Sequence, residues 1–196
     1  MNNERNGLGK ITYADGDVYE GNWRDDMFHG VGKYTCPSGA FYEGSWDNDK
    51  RHGQGNIRFA NGDVYKGFWE LDNIHGRGKY IYANDEVYEG DWRENTRHGL
   101  GKYTYFNRDV YNGSWENGKK NGRGMMKYTS GDVYDGSWLN DEITMTHANE
   151  SIWESQRMID QDKFAFLANR YVYKSKTVIL MVVIILFILI KVEMRK

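Results

Sequence analysis

The residues that could do chemistry are few and evenly spaced. Four histidines, His29, His52, His75 and His98, recur every 23 residues, which invites a metal reading. On a sheet with one such histidine per hairpin, successive imidazoles stand about 9.6 Å apart, whereas zinc ligands must all lie about 2 Å from one ion. We therefore expect no metal site, and a turn hydrogen bond or packing role for each ring. Paired glycines such as Gly30/Gly32 and Gly53/Gly55 resemble a phosphate cradle only superficially, since the third glycine and the following helix are missing. No Ser/His/Asp or Cys/His set stands apart from the repeating pattern, and acidic pairs such as Asp25/Asp26 read as turn residues on a solvated rim. The expectation is a protein with no catalytic residues and no cofactor.

What does repeat is aromatic. Tyr19, Tyr42, Tyr65, Tyr88, Tyr111 and Tyr134 are each 23 residues apart, with a glycine two places on and a tryptophan four places on (Trp23, Trp46, Trp69, Trp92, Trp115, Trp138). A fixed period of this length marks a repeat architecture in which each unit packs mainly on its neighbours. Within Tyr19-Glu20-Gly21-Asn22-Trp23, alternation puts Tyr, Gly and Trp on one face of a strand and Glu and Asn on the other. A second strand per unit carries Gly30, Gly32, Tyr34 and Cys36 on one side and Val31, Lys33 and Thr35 on the other. Ile57/Phe59, Tyr80/Tyr82, Tyr103/Tyr105 and Met126/Tyr128 follow in the Tyr34/Cys36 columns.

Glycine weakens a strand, so its recurrence beside rings asks for a purpose, and the simplest is room for a ring to lie over bare backbone. Asp15-Gly16, Ser38-Gly39, Asn61-Gly62 and Ser130-Gly131 supply the positive φ of tight loops. Asp85 and Arg108 take the glycine's place in two units, where looser turns are expected.

The run Tyr42-Glu43-Gly44-Ser45-Trp46 through His52-Gly53-Gln54-Gly55 resembles the Tyr-Glu-Gly-x-Trp…His-Gly-x-Gly signature of MORN repeats, and the likeness extends over roughly residues 6 to 141. The resemblance implies a row of antiparallel hairpins, in agreement with the residue pattern. The fold expected is all-β: an elongated single-layer antiparallel sheet of 12 strands, on the order of 55 Å long, followed by a C-terminal helix and a transmembrane helix.

The domain expectation is a repeat array over 1–141, comprising a partial first unit, five full units and a partial last one; a helical linker or cap over 142–174; a membrane anchor over 175–192; and a short basic end over 193–196. Ser151-Ile152-Trp153-Glu154 reads as a capping box, and Ile152, Ile159, Phe166 and Tyr173 recur every seven residues. Val178 to Ile190 is an unbroken run of 13 apolar residues flanked by Lys174, Lys176 and Lys191. It covers about 20 Å as a helix, short of a roughly 30 Å hydrocarbon core, but Thr177 and Val192 lengthen it and the lysines can reach the interfaces. In pairing such repeats with a C-terminal anchor the chain is similar to junctophilins, although it lacks their long intervening region.

Charge narrows the partners. Met1 to Glu142 carries 18 basic against 23 acidic residues, and Ile143 to Lys196 carries 8 against 5. An acidic body disfavours nucleic acid and direct binding of anionic lipid headgroups. A lone cysteine, Cys36, and the lack of an apolar run after Met1 lead to an expectation of repeats facing the cytoplasm, with one membrane pass at the C-terminus. The candidate binding residues form an aromatic groove, Trp23, Tyr34, Trp46, Trp69, Tyr80, Trp92, Tyr103 and Trp115, suited to a helical or extended protein segment; most of these rings are expected to hold hairpin to hairpin, with part of the row open to a partner. Phe28, Phe68 and Ile74 break the repeat and are candidate specificity contacts, Phe28 and Ile74 being placed in the loop between the two strands of a unit. The function expected is a membrane-tethered binding scaffold; the competing expectations are a soluble cytoskeletal or signalling adaptor whose tail packs on its own sheet, and a phospholipid-binding membrane-contact module.

Overall fold

A computed structural model of the protein describes residues 4–144. Within them the chain forms one 13-stranded sheet in which every strand pairs with its sequence neighbours. The strands are β1 (Gly7–Thr12), β2 (Val18–Arg24), β3 (Met27–Thr35), β4 (Phe41–Asp47), β5 (Lys50–Arg58), β6 (Val64–Glu70), β7 (Asn73–Ile81), β8 (Val87–Arg93), β9 (Thr96–Thr104), β10 (Val110–Glu116), β11 (Lys119–Lys127), β12 (Val133–Leu139) and β13 (Glu142–Thr144). All pairings are antiparallel. The all-β, single-sheet expectation holds, with one strand more than the repeat alone implied: β13 closes a last short hairpin on β12. The helix inferred over 151–173 and the membrane segment inferred over 175–192 lie outside the described residues.

Two kinds of turn alternate along the sheet. The turns inside a repeat have both central residues at positive φ: Asp25/Asp26, Asn48/Asp49, Leu71/Asp72, Glu94/Asn95, Asn117/Gly118 and Asn140/Asp141. This is the two-residue hairpin whose twist matches that of the strands it joins. Turns between repeats place one positive-φ residue at Gly16, Gly39, Gly62, Asp85, Arg108 and Gly131. Asp85 and Arg108 do not loosen their turns: Asp85 N donates to Tyr82 O at 3.0 Å and Arg108 N to Tyr105 O at 2.9 Å, as Gly16 N does to Tyr13 O at 3.0 Å. The register of the flanking strands dictates the turn, and these two side chains accept the left-handed conformation it imposes.

The two glycines of each Gly-x-Gly pair do different jobs. The first, Gly30, Gly53, Gly76, Gly99 and Gly122, has φ between 59° and 87°, at the register shift where its strand bulges against the preceding one. The second makes room. A Cβ at Gly32, Gly55, Gly78, Gly101 or Gly124 would collide with the ring of Tyr19, Tyr42, Tyr65, Tyr88 or Tyr111, respectively. Sequence reasoning assigned room to both glycines; only the second provides it.

Each of those tyrosines lies over the glycine band and sends its hydroxyl to the backbone three residues on, as Tyr42 does to Ser45 O at 2.8 Å. Its ring edge meets two tryptophans. Tyr42 is 4.9 Å from Trp46 and 5.5 Å from Trp69, and Tyr88 is 5.0 Å from Trp92 and 5.3 Å from Trp115, all near 90°. The result is an unbroken file of alternating Trp and Tyr from Trp23 to Trp138. Edge-to-face contacts of this kind contribute about 0.5–1.5 kcal/mol each beyond burial, so the file ties every unit to the next. Indole N–H groups strengthen the tie by reaching back 14 residues, Trp46 Nε1 to Gly32 O at 3.1 Å and Trp115 Nε1 to Gly101 O at 3.0 Å.

Candidate functional site

The tryptophans of the expected groove are therefore the core of the sheet. Trp23, Trp46, Trp69, Trp92 and Trp115 are between 3% and 8% exposed. Most are also covered by a residue at or just before the start of the second strand of a unit. Arg5 lies 4.0 Å over Trp23, Arg51 4.3 Å over Trp69, Arg97 4.5 Å over Trp115 and Lys120 4.3 Å over Trp138. Phe28 and Ile74 occupy the same column. Phe28 lies edge-on to Trp46 at 5.2 Å, and both Phe28 and Ile74 are buried within strands β3 and β7. Their assignment to an exposed loop is thus corrected: the turn is only two residues long, and the strand begins before them. Phe68 does lie on the opposite face, 45% exposed, where Asn22, Ser45, Asp91 and Ser114 stand in other units.

The backbone of that covering column is clamped to the next turn. Asp49 Oδ1 accepts from Phe28 N at 2.7 Å while Asp49 N donates to Phe28 O at 3.0 Å, and Asp72 does the same for Arg51 at 3.0 and 3.1 Å. Asn95 and Asp141 repeat the exchange with Ile74 and Lys120. Gly118 has no side chain to offer; there Arg97 donates to Gly118 O at 2.7 Å instead.

What the face leaves accessible is the outer aromatic row: Tyr34, Phe59, Tyr80, Tyr82, Tyr105 and Tyr128 are partly buried, while Tyr103 and Met126 are buried. Along this row runs a second ladder. Tyr34 donates its hydroxyl to Asp17 at 2.6 Å, Tyr80 to Asp63 at 2.7 Å and Tyr103 to Glu86 at 2.8 Å. The acids also hold the following turn: Asp63 accepts from Ala83 N at 2.8 Å and Asp109 from Thr129 N at 2.8 Å. Burial alone would raise the Asp63 carboxyl, but hydrogen bonds from Tyr80, Ala83 and Asn61 outweigh it and hold the group below its ordinary range. Glu86 is held low in the same way, burial opposing and the hydrogen bonds from Tyr103, Asn84 and Phe106 prevailing. The Asp63 carboxylate in turn keeps the Tyr80 phenol, already raised by burial, protonated.

In the second unit both partners of this ladder are missing. Ala40 stands in the column of Asp17, Asp63, Glu86, Asp109 and Asp132, and Ile57 in the column of Tyr34, Tyr80 and Tyr103. A pocket of about 370 Å³ lies there, walled by Tyr34, Cys36, Ala40, Ile57 and Phe59, floored by Phe28, Tyr42 and Trp46, with Arg51 at its rim. Burial raises the Cys36 thiol, and Asp17, 3.7 Å from its sulfur, adds to the effect, which favours the neutral thiol over the thiolate in the pocket wall. Ala40, Ile57 and Phe59 stand out in the sequence only when the 40 and 57 columns are read together, where acid and phenol are lost as a pair.

The histidines do not converge. His29 Nδ1 lies 3.3 Å from Asp47 Oδ1 without the alignment of a hydrogen bond, and His75 Nδ1 lies 3.3 Å from Glu70. Among the described residues no group of three or more His, Cys, Asp or Glu side chains could hold a metal ion.

A family model described as MORN repeat matches residues 1–18, 19–41, 42–64, 65–87, 88–110 and 111–133. Among curated proteins none matches the chain. Among solved structures, the TCP domain of SAS-4 (dCPAP) of Drosophila melanogaster, in complex with a proline-rich motif of Ana2 (dSTIL), is similar at 13% identity over 66% of this chain and 77% of that chain, with a TM-score of 0.39. The TCP10 domain of Danio rerio CPAP is similar at 14% identity over 71% of this chain and 88% of that chain, with a TM-score of 0.21. A streptogramin B lyase is similar at 16% identity over 71% of this chain and 43% of that chain, with a TM-score of 0.19.

Proposed function

The chain belongs to the MORN-repeat family, and from that premise we propose that it is a non-enzymatic scaffold that holds a protein segment on the aromatic face of its sheet and is tethered to a membrane by its C-terminus. One observation carries the binding reading: the pocket at Ala40 and Ile57, where the repeating acid–tyrosine ladder is interrupted and an apolar hollow is left within an aromatic row. Pockets of a few hundred Å³ lined mainly by apolar and aromatic groups with a few polar ones at the rim take an anchoring side chain well. Of the groove residues expected from sequence, Tyr34 and Trp46 line this hollow, and Tyr80 stacks on its lining residue Phe59 at 5.9 Å. The five tryptophans act from beneath, fixing the shape of the surface that the partner meets.

The tether rests on the 13-residue apolar run Val178 to Ile190 and its flanking lysines, with the repeats on the cytoplasmic side. No helix of the described residues is long and apolar enough to cross a membrane, and the run lies beyond them. The test is fractionation of the full chain beside a chain cut after Lys174. We expect the full chain to stay in an alkaline-washed membrane pellet and the cut chain to wash off; release of both would remove the tether from the proposal. A protein retained by the wild-type chain and lost from Ala40→Asp/Ile57→Tyr, which rebuilds the ladder and closes the hollow, would support the binding reading. Equal retention by both would overturn it.

A further inference from the structure

The opposite face of the sheet carries a single rung of residues directly across from one another on 12 successive strands. It begins Lys10, Glu20, Lys33, Glu43 and continues Asn56, Lys66, Lys79, Glu89, Lys102, Asn112, Met125, Asp135. In the first units the rung neutralises itself: Lys10 meets Glu20 at 3.2 Å and Lys33 meets Glu43 at 3.2 Å. From β5 onward the alternation fails. Lys66 stands where other first strands carry Glu20, Glu43 and Glu89, and it faces Lys79 directly. Lys79 has Glu89 at 3.4 Å, and Glu89 also stands across from Lys102, but among the described residues no carboxylate lies within 4.0 Å of the Lys66 or Lys102 ammonium, and Lys66 alone has no acid opposite it on either neighbouring strand.

Like charges directly opposite one another on a sheet are destabilising, so this inversion costs stability where the fold's own pattern offers a glutamate. Both cations line one shallow trough of about 770 Å³ over the glycine band, with Asn56, Arg77, Lys79 and Asn112 around it; its one carboxylate, Glu89, is engaged by Lys79, which leaves the lining net basic. Lys66 on β6 and Lys102 on β9 are three strand steps apart, about 14 Å. That is the reach of four residues of an extended chain, whereas one phosphate group would need its cations gathered around it.

We propose that this trough is a second docking site, on the face away from the aromatic row, for an extended acidic peptide segment that crosses the strands and sets carboxylates about four residues apart against Lys66 and Lys102. The amides of Asn56 and Asn112 stand at the ends of the basic stretch to hydrogen-bond its backbone. The net acidity of the body does not oppose this, because charges beyond about 10 Å are screened at ordinary ionic strength.

The test uses the full chain and a fluorescent synthetic peptide with glutamate at every fourth residue, read by anisotropy. The expected result is saturable binding that weakens as salt is raised and falls about tenfold or more in Lys66→Glu. That variant restores the residue of the other units and is therefore expected to fold at least as well as the wild type. Ala40→Asp/Ile57→Tyr, on the other face, is expected to bind the peptide as the wild type does. Absence of saturable binding, or equal binding by Lys66→Glu, would overturn the proposal. So would Lys66-dependent flotation with phosphatidylcholine–phosphatidylserine vesicles in the absence of peptide binding, which would assign the trough to a lipid surface.

Discussion

At the scale of single residues, the two glycines of a Gly-x-Gly pair are separated by what surrounds them. Gly78 lies under the Tyr65 ring, and its missing Cβ is the space that the ring fills. Gly76 has φ 59°, and a Cβ there would stand 3.3 Å from the Phe68 Cβ, a tight contact short of collision, so an alanine meets chiefly backbone strain. Gly78→Ala is expected to destabilise the sheet by about 3 kcal/mol, and Gly76→Ala by about 1–2 kcal/mol, when both are measured by denaturant unfolding. Equal losses would mean that the ring moves aside freely. The converse substitution should help at Arg108, which holds φ 70° in a turn that four other units build with glycine. Arg108→Gly is expected to stabilise by about 0.5–1 kcal/mol, the relief of left-handed strain being partly offset by the freer unfolded chain. A lower melting temperature in that variant would show that the arginine side chain does something the turn geometry does not reveal.

At the scale of elements, the acid–tyrosine ladder joins the second strand of one hairpin to the turn before it, and its interruption makes the candidate site. Restoring it in steps measures it. Ala40→Asp alone places a carboxylate in the hollow with no phenol to meet it, and Ile57→Tyr alone places a hydroxyl there without an acceptor, so each is expected to be neutral or destabilising. Together they should recover stability with a coupling of about 1 kcal/mol or more in a double-mutant cycle; additive effects would deny that Asp17–Tyr34 and Asp63–Tyr80 are a transferable unit. The strands, their order and the aromatic face were legible in the sequence because a period of 23 residues with Tyr, Gly and Trp at fixed offsets admits one alternating arrangement. That most of these rings hold hairpin to hairpin was legible too; how they cover one another was not. A strand pattern says which residues share a side, but only the packed rings reveal that Tyr42 sits between Trp46 and Trp69 and that Arg51 covers the second indole. Phe28 and Ile74 were misplaced for the related reason that a turn of two positive-φ residues cannot be told by pattern from a longer loop when Asp25 and Leu71 occupy its first position. The hollow at Ala40 was hidden because it is defined by two absences in different columns.

At the scale of the whole sheet, the protein has no second layer among its described residues and depends on a file of rings that runs its length. Five phenols in that file, Tyr19, Tyr42, Tyr65, Tyr88 and Tyr111, are raised above their ordinary value chiefly by burial, Tyr19 and Tyr111 to about 12. The consequence for stability has a definite sign. A folded-state value above the unfolded one means that the native sheet keeps protons the unfolded chain gives up, so the contribution is fully present below the unfolded phenol value near ~10 and is lost as pH rises beyond it. Between that value and about 12, each of the five costs on the order of 1 kcal/mol per pH unit. Because neighbouring units share each ring, the loss falls on the array as one body. Raising the pH from neutrality is therefore expected to leave the sheet intact to about 10, and then to unfold it cooperatively, with phenolate absorbance of the buried tyrosines and loss of the β circular-dichroism signal rising together. If the phenols ionise while the circular dichroism holds, the rings are open to solvent, and the aromatic file is not what joins the repeats.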